Sequence, residues 1–332
     1  MESKQQVLVT GGAGFIGSHL VDKLVENNYM VIVIDNLSSG SIENIKHHLE
    51  KGSVKFVHGD LKNKDVILKA VEDVILKAVE NVETVFHLAA NPEVRVSTTN
   101  PEVHFNENIV ATFNLLEAMR LKDINTLVFA SSSSVYGEPE KIPVSENAPV
   151  QPVSVYGASK AACENLIHAY SKLYGLNAIV LRYANIIGPR LRHGILYDLL
   201  IKLSKNRSVL EVLGDGTQTR SYLHVKDAVE ATLLTWRTAR KGFNIYNVGN
   251  RDWITVKDIV DNLMEITGLK NTTKIVYKPI LHGVGWPGDV KRIALDVSKL
   301  IQLGWSPSMN SREAVVETIR SLINELNFTP NS

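Results

Sequence analysis

The stretch from Val7 to Asp35 constrains the fold more than any other. Val7-Leu8-Val9-Thr10 is a short apolar run dominated by β-branched residues, and it reads as a strand. Gly11-Gly12-Ala13-Gly14-Phe15-Ile16-Gly17 follows, then a helix from Ser18 to Glu26, then a second strand, Met30 to Ile34, ending in Asp35. Strand, glycine turn, helix and strand in that order form a βαβ unit, whose strands are parallel. Parallel strands need cover on both faces, so this unit predicts a layered α/β sheet. Gly11, Gly14 and Gly17 recur every third residue, and Gly12, Gly14 and Gly17 also satisfy G-x-G-x-x-G. Such glycines allow a tight turn and close approach of backbone to a pyrophosphate, which then rests on the helix N-terminus. Asp35 lies 18 residues past Gly17, where a carboxylate accepts from the ribose hydroxyls of a dinucleotide. The next residues, Asn36-Leu37-Ser38-Ser39-Gly40, contain no arginine for a 2′-phosphate, so NAD is expected rather than NADP. Taken alone, the glycines leave open a tight turn that binds nothing.

The alternation of strand and helix continues to about residue 190. Val54 to Val57 is a third strand, ending at Asp60-Leu61, where Asp60 either meets the adenine amine or caps the next helix. Thr84 to Ala90 is a fourth. Its last two alanines leave room for phosphate and ribose, and His87 reads as a packed strand residue. Asn108, Ile109, Thr112, Leu115, Leu116 and Met119 recur at helical spacing within 101–120. Thr126 to Ala130 is a fifth strand opening into Ser131 to Ser134, 157–174 is a helix, and Ala178 to Tyr183 is a sixth strand. Beyond it the alternation loosens, with a strand at Ile245 to Val248, a helix at Val256 to Ile266 and a last helix near 311–326. The expected fold is a Rossmann-type, doubly wound parallel sheet with a smaller C-terminal α/β substrate lobe. Residues 1–184 form the sheet domain, to which 225–250 return, and 185–224 with 251–332 form the lobe. One feature fits no fold rule: Asp65 to Glu72 is repeated letter for letter as Asp73 to Glu80. Strong helix formers without glycine or proline predict one helix through both copies, and the alternative is that one copy packs while the other loops out near Lys62-Asn63-Lys64.

Chemistry points to Tyr156-Gly157-Ala158-Ser159-Lys160. Tyrosine and lysine four apart on a helix share a face. An unperturbed phenol titrates near 10, and a neighbouring ammonium favours the phenolate. Lowering it by ~3 units corresponds to about 4 kcal/mol. With a hydroxyl such as Ser132, the pair can move a proton off an alcohol.

Composition excludes several classes. Thirty-six basic and 35 acidic side chains nearly cancel, with no run that suggests nucleic acid. No apolar stretch approaches the ~20 residues of a membrane span, and the N-terminus runs straight into a strand without a signal peptide. The single cysteine, Cys163, excludes an internal disulfide and fits a reducing, cytoplasmic setting, and it reads as helix core. His193, His224 and Cys163 show no metal-like spacing, so no metal is expected.

The glycine motif, Asp35, Ser132, Tyr156, Lys160 and Arg182-Tyr183-Ala184-Asn185 stand in one order. In that order they resemble the extended short-chain dehydrogenase/reductase family, and within it the UDP-glucose 4-epimerases, from about residue 5 to about residue 325. The resemblance implies Ser132, Tyr156 and Lys160 as catalytic residues. It implies NAD contacts from Gly11, Gly14, Phe15, Ile16, Gly17, Asp35, Asn36, Ser38, Gly40, Asp60, Leu61, Leu88, Ala89, Ala90, Asn108, Tyr156, Lys160 and Tyr183. Ser132, Tyr156, Asn185 and Arg220 would meet a UDP-sugar, and a homodimer with a four-helix interface from 101–120 and 157–174 is implied. The reaction is 4-epimerisation of a UDP-hexose through a transient 4-keto sugar. UDP-glucuronate or UDP-N-acetylglucosamine as substrate is the nearest alternative, and an NAD-sensing binding protein is the non-enzyme alternative. Sister 4,6-dehydratases need an acid beside the catalytic hydroxyl, where this chain has Ser133 and Ser134. Many relatives place an arginine two residues before the Gly288-Asp289 pair, where this chain has Trp286, and the following Arg292, Ile293 and Ala294 have no clear counterpart.

Overall fold

The structure, a computed structural model, describes residues 5–62 and 82–329. The duplicated octapeptides at 65–80, expected as one helix, lie outside the described residues. The chain divides into two compact units. The first comprises 1–135, 154–182 and 229–246, and the second 136–153, 183–228 and 247–332. Residues 136–153, which the sequence reading leaves with the sheet, thus cluster with the second unit.

Seven strands form the sheet of the first unit: β1 (Gln6–Thr10), β2 (Met30–Asp35), β3 (Val54–His58), β4 (Val82–His87), β5 (Thr126–Ser132), β6 (Asn177–Tyr183) and β7 (Phe243–Val248). They are parallel, in the order β7-β6-β5-β4-β1-β2-β3. The apolar runs fix this arrangement. Val7, Leu8 and Val9, Val31 to Ile34, Leu127 to Phe129 and Ala178 to Leu181 are buried throughout, as strands covered on both faces must be. The strand order reverses between β1 and β4, and ligands of such sheets usually lie beyond the carboxyl ends at that reversal.

Four helices matter to the site: α1 (Phe15–Glu26), α2 (Lys46–Glu50), α3 (Ala111–Leu121) and α4 (Val155–Tyr174). Ser154 caps α4 by accepting from Gly157 N–H at 3.1 Å, and Gly175, at φ 72°, ends it in the left-handed region. Leu115, Leu116 and Met119 of α3 join Cys163 and Ile167 of α4 in the core beneath the sheet. The helix predicted over 101–120 is interrupted. Glu102–His104 is α-helical, Phe105–Val110 forms a π-helical turn, and α3 continues from it. The wider turn accommodates Asn108, whose buried amide bonds outside its own helix.

The second unit is built from short pieces. Asn185–Ile187 pairs in parallel with Tyr222–His224, Val209–Leu213 with Lys274–Lys278, and Thr219–Arg220 lies between Ile254–Thr255 and Arg292–Ile293. Helices Val256–Ile266 and Ser311–Glu325 both open on complete capping boxes, from Thr255 and Asn310. Among the described residues no helix is long and apolar enough to cross a membrane.

Candidate functional site

The glycine turn joins β1 to α1. Gly11 has φ +69°, and a Cβ there would stand 2.7 Å from Ala89 N, so backbone of the β4 end fills the space a side chain would take. A Cβ at Gly17 would stand 2.1 Å from Gly11 O, so the first turn of α1 packs directly on the loop. Gly14 is the N-cap, and no side chain caps the helix. An uncapped N-terminus above a bare backbone turn is the cradle a pyrophosphate needs, and these residues fit a dinucleotide. Phe15 and Ile16 follow on the first turn, both half-buried.

Asp35, at the end of β2, is held rigidly. Ala13 N–H donates to Oδ2 at 3.0 Å and Leu37 N–H to Oδ1 at 2.8 Å. Burial pushes its carboxyl up, and those two bonds pull it back only in part. Asn36 donates to Asp60 Oδ2 at 3.0 Å and accepts from Ser38 N–H at 3.0 Å. Burial raises the Asp60 carboxyl, but bonds from Lys62 N–H and Asn36 and the Lys62 charge outweigh it, so the net shift is downward. Asp60 thus bonds two neighbours besides any ligand. A Cβ at Gly40 would stand 2.9 Å from the Ala13 carbonyl carbon, so this loop lies over the glycine turn. The Leu61 side chain is in the core and its carbonyl accepts from Asn114 at 2.8 Å. Leu88, Ala89 and Ala90 leave the end of β4 half-buried, with Leu88 N–H on Thr10 O at 3.1 Å. His87 is a packed strand residue: its ring bridges Thr10 Oγ1 at 2.7 Å and Thr112 Oγ1 at 2.9 Å, and burial lowers it to about 3.

β5 ends at Ser132, on the same carboxyl edge. Ser134 N–H donates to Ser132 Oγ at 3.1 Å, and Ser132 Oγ donates to Ser134 Oγ at 3.0 Å. Tyr156 stands on the first turn of α4, its ring edge-to-face with buried His104 at 5.6 Å between centroids. Burial pushes the phenol up to about 12, and a hydrogen bond with Ser132 pulls the other way. Lys160 is buried and burial brings it down to about 8, while Cys163 and Glu164 hold it up. Its Nζ donates to Ala130 O at 2.8 Å and lies 4.8 Å from the Phe129 ring centre. Burial thus raises the phenol here, where the lysine one turn away is expected to lower it.

Several contributors escape the sequence reading. Asn108 Nδ2 donates to Ser159 Oγ at 2.8 Å, Ser159 Oγ donates to Tyr156 O at 2.7 Å, and Asn91 N–H donates to Asn108 Oδ1 at 3.0 Å. Asn108, expected against cofactor, thus braces the start of α4. Under Lys160, Glu164 receives Arg182 Nη2 at 2.6 Å and Nε at 3.0 Å, and Ser131 Oγ as well, all buried. Ser159 lies inside the Tyr-Gly-Ala-Ser-Lys motif, so position alone could have flagged it. Nothing in the sequence pairs Glu164 with Arg182.

Tyr183, Asn185 and Arg220 belong to the second unit. Tyr183 is buried, and Asn185 Nδ2 reaches Ser221 O at 3.3 Å. Arg220 Nη2 donates to buried Asp289 at 2.6 Å, and Nη1 to the carbonyls of Thr219 and Lys291 at 2.8 and 3.2 Å. Asp289 in turn accepts from Gly285 N–H at 3.0 Å. Trp286 stands in this loop with its indole N–H buried and without a hydrogen-bond partner among the described residues.

Fold and glycine turn together define a dinucleotide-binding protein of the Rossmann type, with Ser132, Tyr156 and Lys160 grouped at the carboxyl edge of its sheet. The model of the NAD dependent epimerase/dehydratase family matches residues 7–249. A crystal structure of a UDP-galactose 4-epimerase superposes with a TM-score of 0.84 at 47% identity, over 97% of this chain and 100% of that one. The UDP-glucose 4-epimerase of Thermotoga maritima, solved with UDP-glucose, gives 0.84 at 34% identity over 97% and 100%. The UDP-glucose 4-epimerase of Halalkalibacterium halodurans is 33% identical over 94% of this chain and 93% of its own. The chain belongs to the NAD dependent epimerase/dehydratase family.

Proposed function

We propose that the protein interconverts UDP-glucose and UDP-galactose by inverting the sugar C4, with NAD as a cofactor restored in every turnover. The observation that carries this reading is the Ser132, Tyr156 and Lys160 cluster on the same sheet edge as a glycine cradle, in a chain similar throughout to UDP-hexose 4-epimerases.

Gly11, Gly14 and Gly17 with the N-terminus of α1 hold the pyrophosphate, and Asp35 the adenosine ribose. When bound, NAD supplies the hydride acceptor and a positive ring charge that favours the phenolate. Tyr156 takes the proton of the sugar 4-hydroxyl, directly or through Ser132, and returns it after the sugar has presented its other face. Lys160 keeps a positive charge beneath the site and orients the nicotinamide ribose. Asn185 and Arg220 hold the diphosphate. Asp289 fixes the guanidinium plane, and three of its five N–H groups are already engaged. Ser133 and Ser134 beside Ser132 provide no carboxyl acid, which favours epimerisation over loss of water. The dimer expected from the sequence and a cytosolic setting for the lone buried thiol of Cys163 complete the proposal.

The test is direct. Purified protein with NAD is given UDP-galactose, and UDP-glucose is the expected product. Tyr156→Phe should keep NAD binding and lose at least ~10²-fold in turnover, the low end for a missing general acid/base. A folded variant with near-normal turnover sinks the assignment of Tyr156, and a wild-type enzyme inert on UDP-galactose sinks the reaction.

A further inference from the structure

Two helices of the first unit bring together three side chains that the site does not use. Asp22 lies on α1, eight residues beyond the Gly14 cap and so about 12 Å along the axis. His47 and His48 lie on α2. Asp22 Oδ1 stands 2.8 Å from His48 Nε2 and 3.4 Å from His47 Nε2, and all three donor atoms fall within 4.8 Å of one another. The two imidazoles are tilted by 42° with centroids 3.8 Å apart, so their Nε2 atoms converge on one carboxylate.

We propose that Asp22, His47 and His48 form a binding site for one divalent cation of the zinc class. Donors bound to zinc at about 2.0–2.1 Å in tetrahedral geometry stand about 3.3 Å apart, and the distances here bracket that value. Two imidazoles and a carboxylate suit zinc rather than calcium or magnesium, which take oxygen ligands. The frame is preformed. Ser41 N–H and Asn44 Nδ2 both bond Ala13 O, at 3.0 and 2.9 Å, and Ile45 is fully buried, so the loop leading into α2 is anchored on the glycine turn. Access is open on one side, where the His47 side chain is 46% exposed, leaving room for water as a fourth ligand.

The surroundings also bound the affinity. His48 Nδ1 is buried with no hydrogen-bond partner among the described residues. Ligation through Nε2 leaves the ring proton there, without the outer partner that metal-bound histidines usually have. Such a partner is worth about 10–100-fold in affinity, so the site is weaker than a dedicated structural zinc centre by that order. The sequence reading, which expects no metal, weighs only His193, His224 and Cys163, and Asp22 lies 25 and 26 residues from His47 and His48.

The full-length protein, dialysed against a chelator, is titrated with Zn²⁺ by calorimetry and separately with Co²⁺ by visible absorption. The expected result is saturable binding of one Zn²⁺ per chain, a Co²⁺ spectrum showing nitrogen ligation, and a rise in Tm with metal. His47→Ala, at an exposed position, should fold and turn over sugar as wild type while binding at least ~10-fold more weakly, and Asp22→Asn should weaken binding likewise. Absence of saturable binding in the wild type overturns the proposal. So does equal stoichiometry and affinity in both folded variants, which would place the metal elsewhere.

Discussion

At the scale of residues, burial decides which ionisable groups carry charge. His87 is lowered to about 3 by desolvation first and by the Lys160 charge second. An unfolded histidine titrates near 6.5, so its folded value is the depressed one. The unfolded chain then binds a proton that the native chain refuses, and stability present above pH ~6.5 is lost as pH falls toward 3. His87→Leu should destabilise at pH 7 by about 1–3 kcal/mol, because Thr10 and Thr112 lose their shared partner. It should also show a shallower loss between pH 6.5 and 4, measured by urea unfolding at several pH values. Parallel pH dependence in both proteins would remove His87 as its source. Tyr156 gives the second prediction. Its bond with Ser132 opposes the rise that burial imposes, so Ser132→Ala should move the acidic limb of the kcat/KM profile to higher pH and slow turnover by ~10–10²-fold. An unmoved limb in a slowed enzyme would assign Ser132 to positioning alone. The pair Tyr156 and Lys160 was legible from the sequence because four residues on a helix fix a shared face. Their protonation was not, because it is set first by burial, which the packing of distant elements decides, and for Tyr156 by a bond with Ser132 at the end of β5.

Elements show the same division. Apolar runs mark most strands of the large sheet, and with length and the glycine turn they predict the strand ends to within three residues, the largest miss being β4, which ends at His87 rather than Ala90. Strands of two or three residues such as Thr219–Arg220 or Arg292–Ile293 carry no period, so the sequence does not mark them. The π-helical turn at Phe105–Val110 was also hidden, since no local pattern marks it, and Asn108 within it bonds Ser159 on another helix. Where an element end is legible, it predicts specificity. Asp35 terminates β2 with both oxygens fastened to backbone N–H groups, and it cannot swing aside. A 2′-phosphate beside it meets a fixed carboxylate with no arginine in the following loop. NAD should therefore bind at least ~10-fold more tightly than NADP, about 1.4 kcal/mol, and Asp35→Asn should narrow that gap. Fluorescence titration of cofactor-free protein with both dinucleotides measures it, and equal affinities for the wild type would refute the role of Asp35.

At the scale of the whole molecule, α3 and α4 present large exposed apolar side chains among the described residues. Tyr170 donates to Glu117, Arg120 clamps the same carboxylate at 2.9 and 3.0 Å, and its guanidinium lies over Tyr174 at 5.5 Å. These contacts lock the two helices into one rigid pair. On that pair Leu173 is 72% exposed, Leu121 58%, Tyr174 51% and Phe113 40%. Single exposed apolar residues are ordinary, but a run of them on a rigid two-helix face marks an interaction surface. We propose that a second copy covers this face: a two-fold axis would set the same patch against itself and give a four-helix contact. The protein should therefore scatter light as a dimer at micromolar concentration. Leu173→Glu combined with Leu121→Glu places two charges per chain in that contact, four per dimer, and should yield a monomer. Both positions are exposed in the single chain, so the variant should fold with its cofactor site intact and bind NAD. Its Tm should lose the concentration dependence that a dimer confers. A wild-type monomer, or a double variant that remains a dimer, would move the interface away from α3 and α4.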